Sequence, residues 1–312
     1  MTLTAVMIES QTATPVPARR PRNQFIETLR IASAFGIVLF HAHGPGGDVG
    51  YAGLVAFLIL SPMFDCLYSW DKIRSPRILA KTLLLPWLFW LIFYAGLNRI
   101  SHKPLFTTAD PISGLLYGTG RHLWFLPYIF VVLVGLNAIK PHIAPRVAFW
   151  LAVASATLAL ATASIWRPIS INWGAPYLQW AQATPAVLMG VALGLGGRFR
   201  RDSIAGLALL VIALIFADLA NISGISLPYT VGACAVVLAI WLGSRFEAPW
   251  LYVQPLADCM FGVYLMHPLM LSLTGHITGQ HSMATVIIAY GSSAAVVWFV
   301  RRQMPISRKI LG

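Results

Sequence analysis

Residues 204–220 read IAGLALLVIALIFADLA, a run with a single ionisable side chain, Asp218, close to its end. About 20 predominantly apolar residues are what a helix needs to cross a hydrocarbon core of roughly 30 Å. Lipid offers the backbone no hydrogen-bond partners, so a run of this kind satisfies its own amides as an α-helix. Comparable runs recur along the chain, at about Phe25–Ala42, Gly50–Trp70, Leu79–Leu97, His122–Ile139 and Val147–Ile165. Further runs follow at about Tyr177–Leu195, Leu227–Leu242, Pro255–Leu273 and Met283–Val300, those before Leu195 and Leu242 being the weakest. Across the 312 residues, 58% are hydrophobic and 10% charged, whereas a water-soluble domain carries roughly 25% charged residues. Short alternating segments, the mark of a membrane β-barrel, are missing from the sequence. The expectation is an all-α polytopic membrane bundle of about ten transmembrane helices.

The net charge of +12 raises the question of nucleic acid, and the distribution of the basic residues answers it. With ten spans, alternate connections carry Arg19, Arg20, Arg22, Lys72, Arg74, Arg77, Lys81, Lys140 and Arg146 on one side. The same side takes Arg198, Arg200, Arg201, Arg245, Arg301, Arg302, Arg308 and Lys309, while the other holds Arg99, Lys103, Arg121 and Arg167. Such asymmetry is the positive-inside signal and puts both termini in the cytosol; no nucleic-acid partner is expected. Residues 1–21 are polar and Pro-rich and read as a disordered cytosolic tail, 22–302 as the membrane domain, and 303–312 as a short cytosolic tail with no appended soluble domain. Cys66, Cys234 and Cys259 lie in apolar runs without CxxC spacing and read as buried, inert thiols.

Ionisable residues inside such runs are costly and need a partner or a purpose. Glu27 and Arg30 lie near the cytosolic start of the first run, and His41 near its far end. Eleven residues of helix rise about 16 Å and make close to three turns, so Arg30 and His41 share one face that could line a single cavity. Arg30 could equally pair with Glu27, three residues before it, and His41 could be a capped helix-end histidine. His43 reads as a loop residue. RHLWFLP at residues 121–127 opens the fourth run, and GVYLMHP at residues 262–268 lies in the ninth. On this topology His41, His122 and His267 share the outer half of the membrane and point to one polar site. Trp124 and Tyr264 are either interface-belt aromatics or aromatic faces suited to sugar.

The Arg-x10-His spacing from Arg30 to His41, with Glu27 three residues earlier, resembles the membrane-bound acyltransferase-3 family. The His122–Leu126 and Tyr264–His267 motifs resemble it as well, and so does the basic stretch leading to Leu85-Pro86. The likeness covers about Arg22 to Arg302. Where many members have Ser-Gly-Phe/Tyr in the second span, this chain has Ser61-Pro62-Met63-Phe64. The resemblance implies transfer from acyl-CoA, most plausibly acetyl-CoA, to a sugar hydroxyl of an exopolysaccharide or other cell-envelope glycan. It implies a bacterial inner (cytoplasmic) membrane location, with membrane lipid and a polysaccharide-biosynthesis complex as partners, and no metal.

In that reading His41 is the general base or a transient acyl carrier, since imidazole accepts a proton at neutral pH. Arg30, with Glu27, holds the phosphate or pantetheine part of the donor. His122 and His267, with Trp124 and Tyr264, position the acceptor or steady the oxyanion. Asp65, Asp218 and Asp258 are candidates for orienting His41. The rival class is a transporter or flippase for a polysaccharide or lipid-linked intermediate, which intramembrane Arg, His and Asp would also fit; no internal repeat of the kind many transporters carry is visible. A structural subunit of an envelope complex is a third reading.

Overall fold

The computed structural model describes residues 22–108, 110–248, 250–279 and 281–311, so the proposed tail at 1–21 lies outside the described residues. Each apolar run is a helix: α1 (Gln24–His41), α2 (Gly47–Ser69), α3 (Pro76–Ile100), α4 (Phe125–Ile139) and α5 (Pro145–Ala161). These continue as α6 (Tyr177–Gly196), α7 (Arg200–Leu219), α8 (Ser226–Arg245), α9 (Met260–Thr278) and α10 (Met283–Gln303). No strand occurs among the described residues. Among the described residues seven helices are long and apolar enough to cross a membrane, or eight if the bent pair beginning with α5 is one span. Helices α1 and α9 are not among them, because the residues that lower their hydropathy are Glu27, Arg30 and His41 in one and His267 and His276 in the other. The weak sixth and eighth runs form 20-residue helices that pass.

The fifth run departs from expectation. It does not continue straight to Ile165; the chain breaks at Thr162, and a second helix, Ala163–Ile171, leaves at 75°. Trp166 Nε1 donates to Ala159 O (2.6 Å) at the break, and the Thr162 hydroxyl adds a second bond (2.7 Å) to Leu158 O, which the Thr162 amide already reaches (2.9 Å). In α3 a π-turn at Ala80–Leu84 precedes Pro86, whose missing amide leaves the ordinary i→i−4 ladder incomplete.

Helix α2 is the axis of the bundle, with 78% of its apolar window buried inside the protein. It packs on α1, α6 and α8. Apolar side chains gain little by leaving lipid for one another, so close backbone approach must supply the packing. A Cβ at Gly53 would lie 2.2 Å from Ser33 O of α1, and one at Gly190 of α6 would lie 2.2 Å from Ile59 O. Only glycine fits at these crossings. Pro62 lies inside α2, 2.7 Å from the same Gly190 Cβ position, so the departure from the family's second-span motif sits at the α2–α6 crossing. In contrast α7 is 28% buried, and Ile204, Ile212, Ile215, Phe216 and Leu219 face outward where lipid would cover them.

Polar contacts mark two ends. At the basic end Asp65 is fully buried between Lys140 and Arg74, Arg146 binds Asp202 through two nitrogens (2.6 and 3.1 Å), and Arg198 pairs with Asp71 (3.2 Å). Arg22 meets Asp258 (2.7 Å), whose carbonyl accepts from Arg301, so Arg22 and Arg301 sit at this same end. The segment after α10 turns back onto the bundle, where Trp90 Nε1 donates to Ile310 O (3.1 Å) and Leu311 is buried. The opposite, histidine end carries His41, His122 and the turn of His281, whose Nδ1 lies 2.9 Å from Ala42 O. Cys66 and Cys259 are buried as expected, but Cys234 is exposed on α8. It stands in an apolar stretch, on a face of the helix that no other helix covers.

Candidate active site

Helix α1 supplies the two ends of the site. Asn23 caps it, its side-chain oxygen accepting from the Phe25 and Ile26 amides (3.0 and 3.3 Å). Arg30 donates to Glu27 Oε2 at 2.7 Å, so the i,i+3 pair weighed from the sequence is present. Glu27 is buried and lies 3.8 Å from Arg22 as well. These residues and Asp258 line a cavity of about 770 Å³ at the basic end. Two arginines and two carboxylates thus share its wall. Arg30 spends one bond on Glu27 and, with five N–H donors, keeps others for an anion.

At the other end His41 Nδ1 lies 2.9 Å from Ile37 O, one turn back along α1. A carbonyl only accepts, so Nδ1 carries the hydrogen and Nε2 has the lone pair. The same logic holds for His267, whose Nδ1 is 2.7 Å from Tyr264 O, again leaving Nε2 basic. The three histidine rings follow one another in series, tilted by 55° for His41 and His267 (4.9 Å between centroids) and edge-to-face at 66° for His267 and His122 (5.2 Å). Backbone carbonyls orient His41 and His267, and none of the three candidate aspartates does. Asp65 is bound to Lys140, Asp258 lies at the basic end, and Asp218 is exposed on α7.

His122 does not begin a helix, as its run implied; it lies in a turn, and α4 starts at Phe125. Several contacts fix that turn. Asn98 donates to Thr119 O (2.9 Å), Thr119 to Leu91 O (2.7 Å), and the Tyr264 hydroxyl to His122 O. The ring packs edge-on against Tyr94 and Tyr264, each at 5.4 Å. Both nitrogens of His122, and Nε2 of His267, are buried without a hydrogen-bond partner among the described residues. Unpaired polar atoms in such a place cost about 1–3 kcal/mol each. Among the described residues no group of three His, Cys, Asp or Glu is arranged to hold a metal ion.

Two cavities meet at this end. One, of about 710 Å³, is bounded by His41, His122, Tyr94, Asn98 and Lys103; the other, of about 230 Å³, by His41, His122, Trp124, Tyr264, Tyr51 and Gln182. His41, His43, Arg121 and His122 belong to both walls. His43 and Arg121 are therefore site residues that the sequence reading passed over. Their signal was adjacency, one two residues after His41 and the other beside His122. His267 lines neither cavity and is fully buried; it supports the two histidines that do. Trp124 and Tyr264 are buried as well, so they are not interface-belt aromatics.

Arg30 and His41 do not line one continuous cavity, as their shared face implied. Ala34 and Ile37 occupy the same stripe of α1 between them and are buried. Ile37, Leu54, Phe57, Phe125, Phe261 and Tyr264 converge around a space of about 20 Å³. Phe57, Phe125 and Phe261 also line the basic-end cavity, and Ile37, Leu54 and Tyr264 the histidine-end one. A single apolar constriction thus separates the two.

The sequence profile of the Acyl_transf_3 family, described as an acyltransferase domain, matches residues 23–302, which is nearly the whole described bundle. No curated protein and no solved structure matches the chain.

Proposed function

The chain belongs to the Acyl_transf_3 family of membrane acyltransferases, and from that premise we propose that it transfers an acyl group, acetyl in the simplest case, from acyl-CoA to a hydroxyl of a cell-envelope or secreted polysaccharide. The observation that carries this reading is the pair of cavities that face each other across the six-residue constriction. Acyl-CoA is an anionic head on a long, thin arm ending in a thioester. The basic-end cavity, with Arg22 and Arg30, suits the head. About 16 Å of helix separates Arg30 from His41, a distance that an extended pantetheine arm can cover. The apolar constriction, a space of about 20 Å³, has to widen for such an arm to pass, and its side chains then exclude the water that would hydrolyse the thioester. By the charge asymmetry, the basic end would face the cytosol of a bacterial inner membrane, where acyl-CoA is made.

The chemistry follows from the His41 tautomer. Nε2 takes the proton of the acceptor hydroxyl as its oxygen attacks the thioester carbonyl. The tetrahedral intermediate collapses with cleavage of the C–S bond. The thiolate recovers the proton from the imidazolium and leaves as CoA, and the acceptor carries the new ester. In this reading Arg121, on the shared wall, donates to the developing oxyanion, and the buried His122 ring backs that wall. His267 is a positioning residue that holds the His41 ring. Trp124 offers an apolar face to a sugar ring.

The test uses the full chain in lipid nanodiscs with acetyl-CoA, with and without isolated envelope polysaccharide. Glycan-dependent release of CoA thiol, absent in His41→Ala of equal monodispersity, is expected. No thiol release with any of acetyl-, propionyl- or succinyl-CoA would reject acyl-CoA as the donor.

A further inference from the structure

A fifth cavity of about 480 Å³ opens at the histidine end, beside the His41 site. It shares Phe40, Tyr51 and Gln182 with the smaller His41 cavity, so the two lie side by side against the same side chains. Its wall includes Arg167, Asp48, Asn221 and Ser226. Arg167 comes from the helix that leaves α5 at 75°, and that bend carries it over the end of α6.

Arg167 has no carboxylate within ion-pair distance among the described residues. Its guanidinium is held by neutral oxygens, Nη2 donating to Gln182 Oε1 (3.0 Å) and Nη1 reaching Ser170 Oγ (3.4 Å). Its Nε is buried with no partner. Gln182 is fixed in turn by donating to Gly224 O at 2.8 Å. Gly224 has φ +76°, and a Cβ there would meet Gln182 Nε2 at 2.3 Å, so the glycine keeps this anchor open. A half-buried cation that is oriented but uncompensated, in a cavity with further hydrogen-bonding groups, is arranged for an anion. Arg22, Arg30, Arg146 and Arg198, by contrast, each face a carboxylate.

We propose that this cavity is an acceptor subsite that binds an anionic oxygen group, a carboxylate or a phosphate, on the sugar next to the one acylated. Arg167 takes the anion. Asp48, across the cavity, accepts from sugar hydroxyls and disfavours a second negative charge there. The proposal rests on the acyltransferase reading for its word acceptor, but anion binding by Arg167 does not depend on it.

The experiment is a saturation-transfer NMR titration of the nanodisc-embedded full chain with three probes: methyl glucuronoside, glucose 1-phosphate and methyl glucoside. At least one anionic probe should bind about tenfold or more tightly than the neutral glucoside, and the one that wins identifies the anion. Arg167→Gln should abolish the preference while leaving glucoside binding unchanged. If that variant does not fold, Gln182→Glu, which places a carboxylate against the guanidinium, should abolish it as well. His41→Ala should retain the preference. A preference that survives Arg167→Gln or Gln182→Glu, or a wild type that binds all three probes alike, overturns the subsite. A preserved preference with no acyl transfer to any glycan would leave the subsite standing and remove the acyltransferase reading alone.

Discussion

Replacing Lys140 by alanine should destabilise the bundle far more than removing the whole ion pair to which it belongs. Asp65 is fully buried in α2, and the Lys140 side chain is 1% exposed. Lys140 donates to Asp65 Oδ2 and also to Ser69 O (3.2 Å), while Asn137 adds a long bond to the same carboxylate (3.3 Å). Arg74 Nε lies 3.0 Å from Oδ1 but outside hydrogen-bond geometry, so that contact is electrostatic, and the arginine is 40% exposed. Losing one partner of a buried pair costs roughly 3–5 kcal/mol, because the remaining charge is left desolvated. Arg74 compensates in part, which sets the expectation at the lower end, about 3 kcal/mol. For a chain of this size that is a fall of roughly 5 °C in unfolding temperature. The double variant Asp65→Asn with Lys140→Met removes both buried charges, leaves only the partly exposed Arg74 to be solvated, and should recover at least half of the loss. The assay is intrinsic tryptophan fluorescence on heating in one detergent, with single and double variants run as a cycle. A Lys140→Ala protein as stable as wild type, or a double variant as unstable as the single, would refute the assignment of a desolvated pair.

Other consequences are as direct. Ile37→Phe overfills the constriction of about 20 Å³ and should lower transfer from acyl-CoA tenfold or more, at a stability cost of about 1–3 kcal/mol; steady-state rates and melting curves check the two separately. Arg30→Ala should raise the KM for acyl-CoA with little change in kcat, the mark of lost ground-state binding, and unchanged donor kinetics would confine Arg30 to its pair with Glu27. Gly190→Val puts side-chain atoms into Ile59 O and should abolish monodisperse protein, as seen by size-exclusion chromatography. Asp110, in a loop at the histidine end, accepts from the Ser113 amide at 2.7 Å, which holds its carboxyl below the usual value. The cap is therefore complete above the unfolded value near 3.9 and is lost as pH falls through the lower folded one. Amide exchange at Ser113 should accelerate there, and equal rates in wild type and Asp110→Ala at pH 6 would exclude the cap.

The helices were legible because lipid imposes one rule on every crossing segment, and the runs of α7 and α10 obey it almost without interruption. The site was legible where a costly residue interrupts such a run, as Arg30 and His41 do in α1 and His267 does in α9. His122 was found by type but not by conformation, since its turn is set by contacts with Leu91, Asn98 and Tyr264, residues distant in sequence. The constriction could not be read. A phenylalanine that narrows a passage, such as Phe57 or Phe261, has the same spacing as one that fills a core, and only the convergence of four helices separates the two. Lys140 was counted among surface charges that orient the chain, yet its ammonium is buried against a carboxylate 75 residues away. Arg167 was likewise read as a loop charge, because the bend at Thr162 that carries it inward leaves no mark in hydropathy.

The most direct test of the account is the ester-linked acyl content of envelope polysaccharide from cells that lack this protein, complemented with wild type or with His41→Ala at equal membrane abundance. Mass spectrometry should find the acyl ester restored by wild type and absent with His41→Ala. Full acylation supported by His41→Ala would contradict the role of His41 at the meeting point of the two cavities.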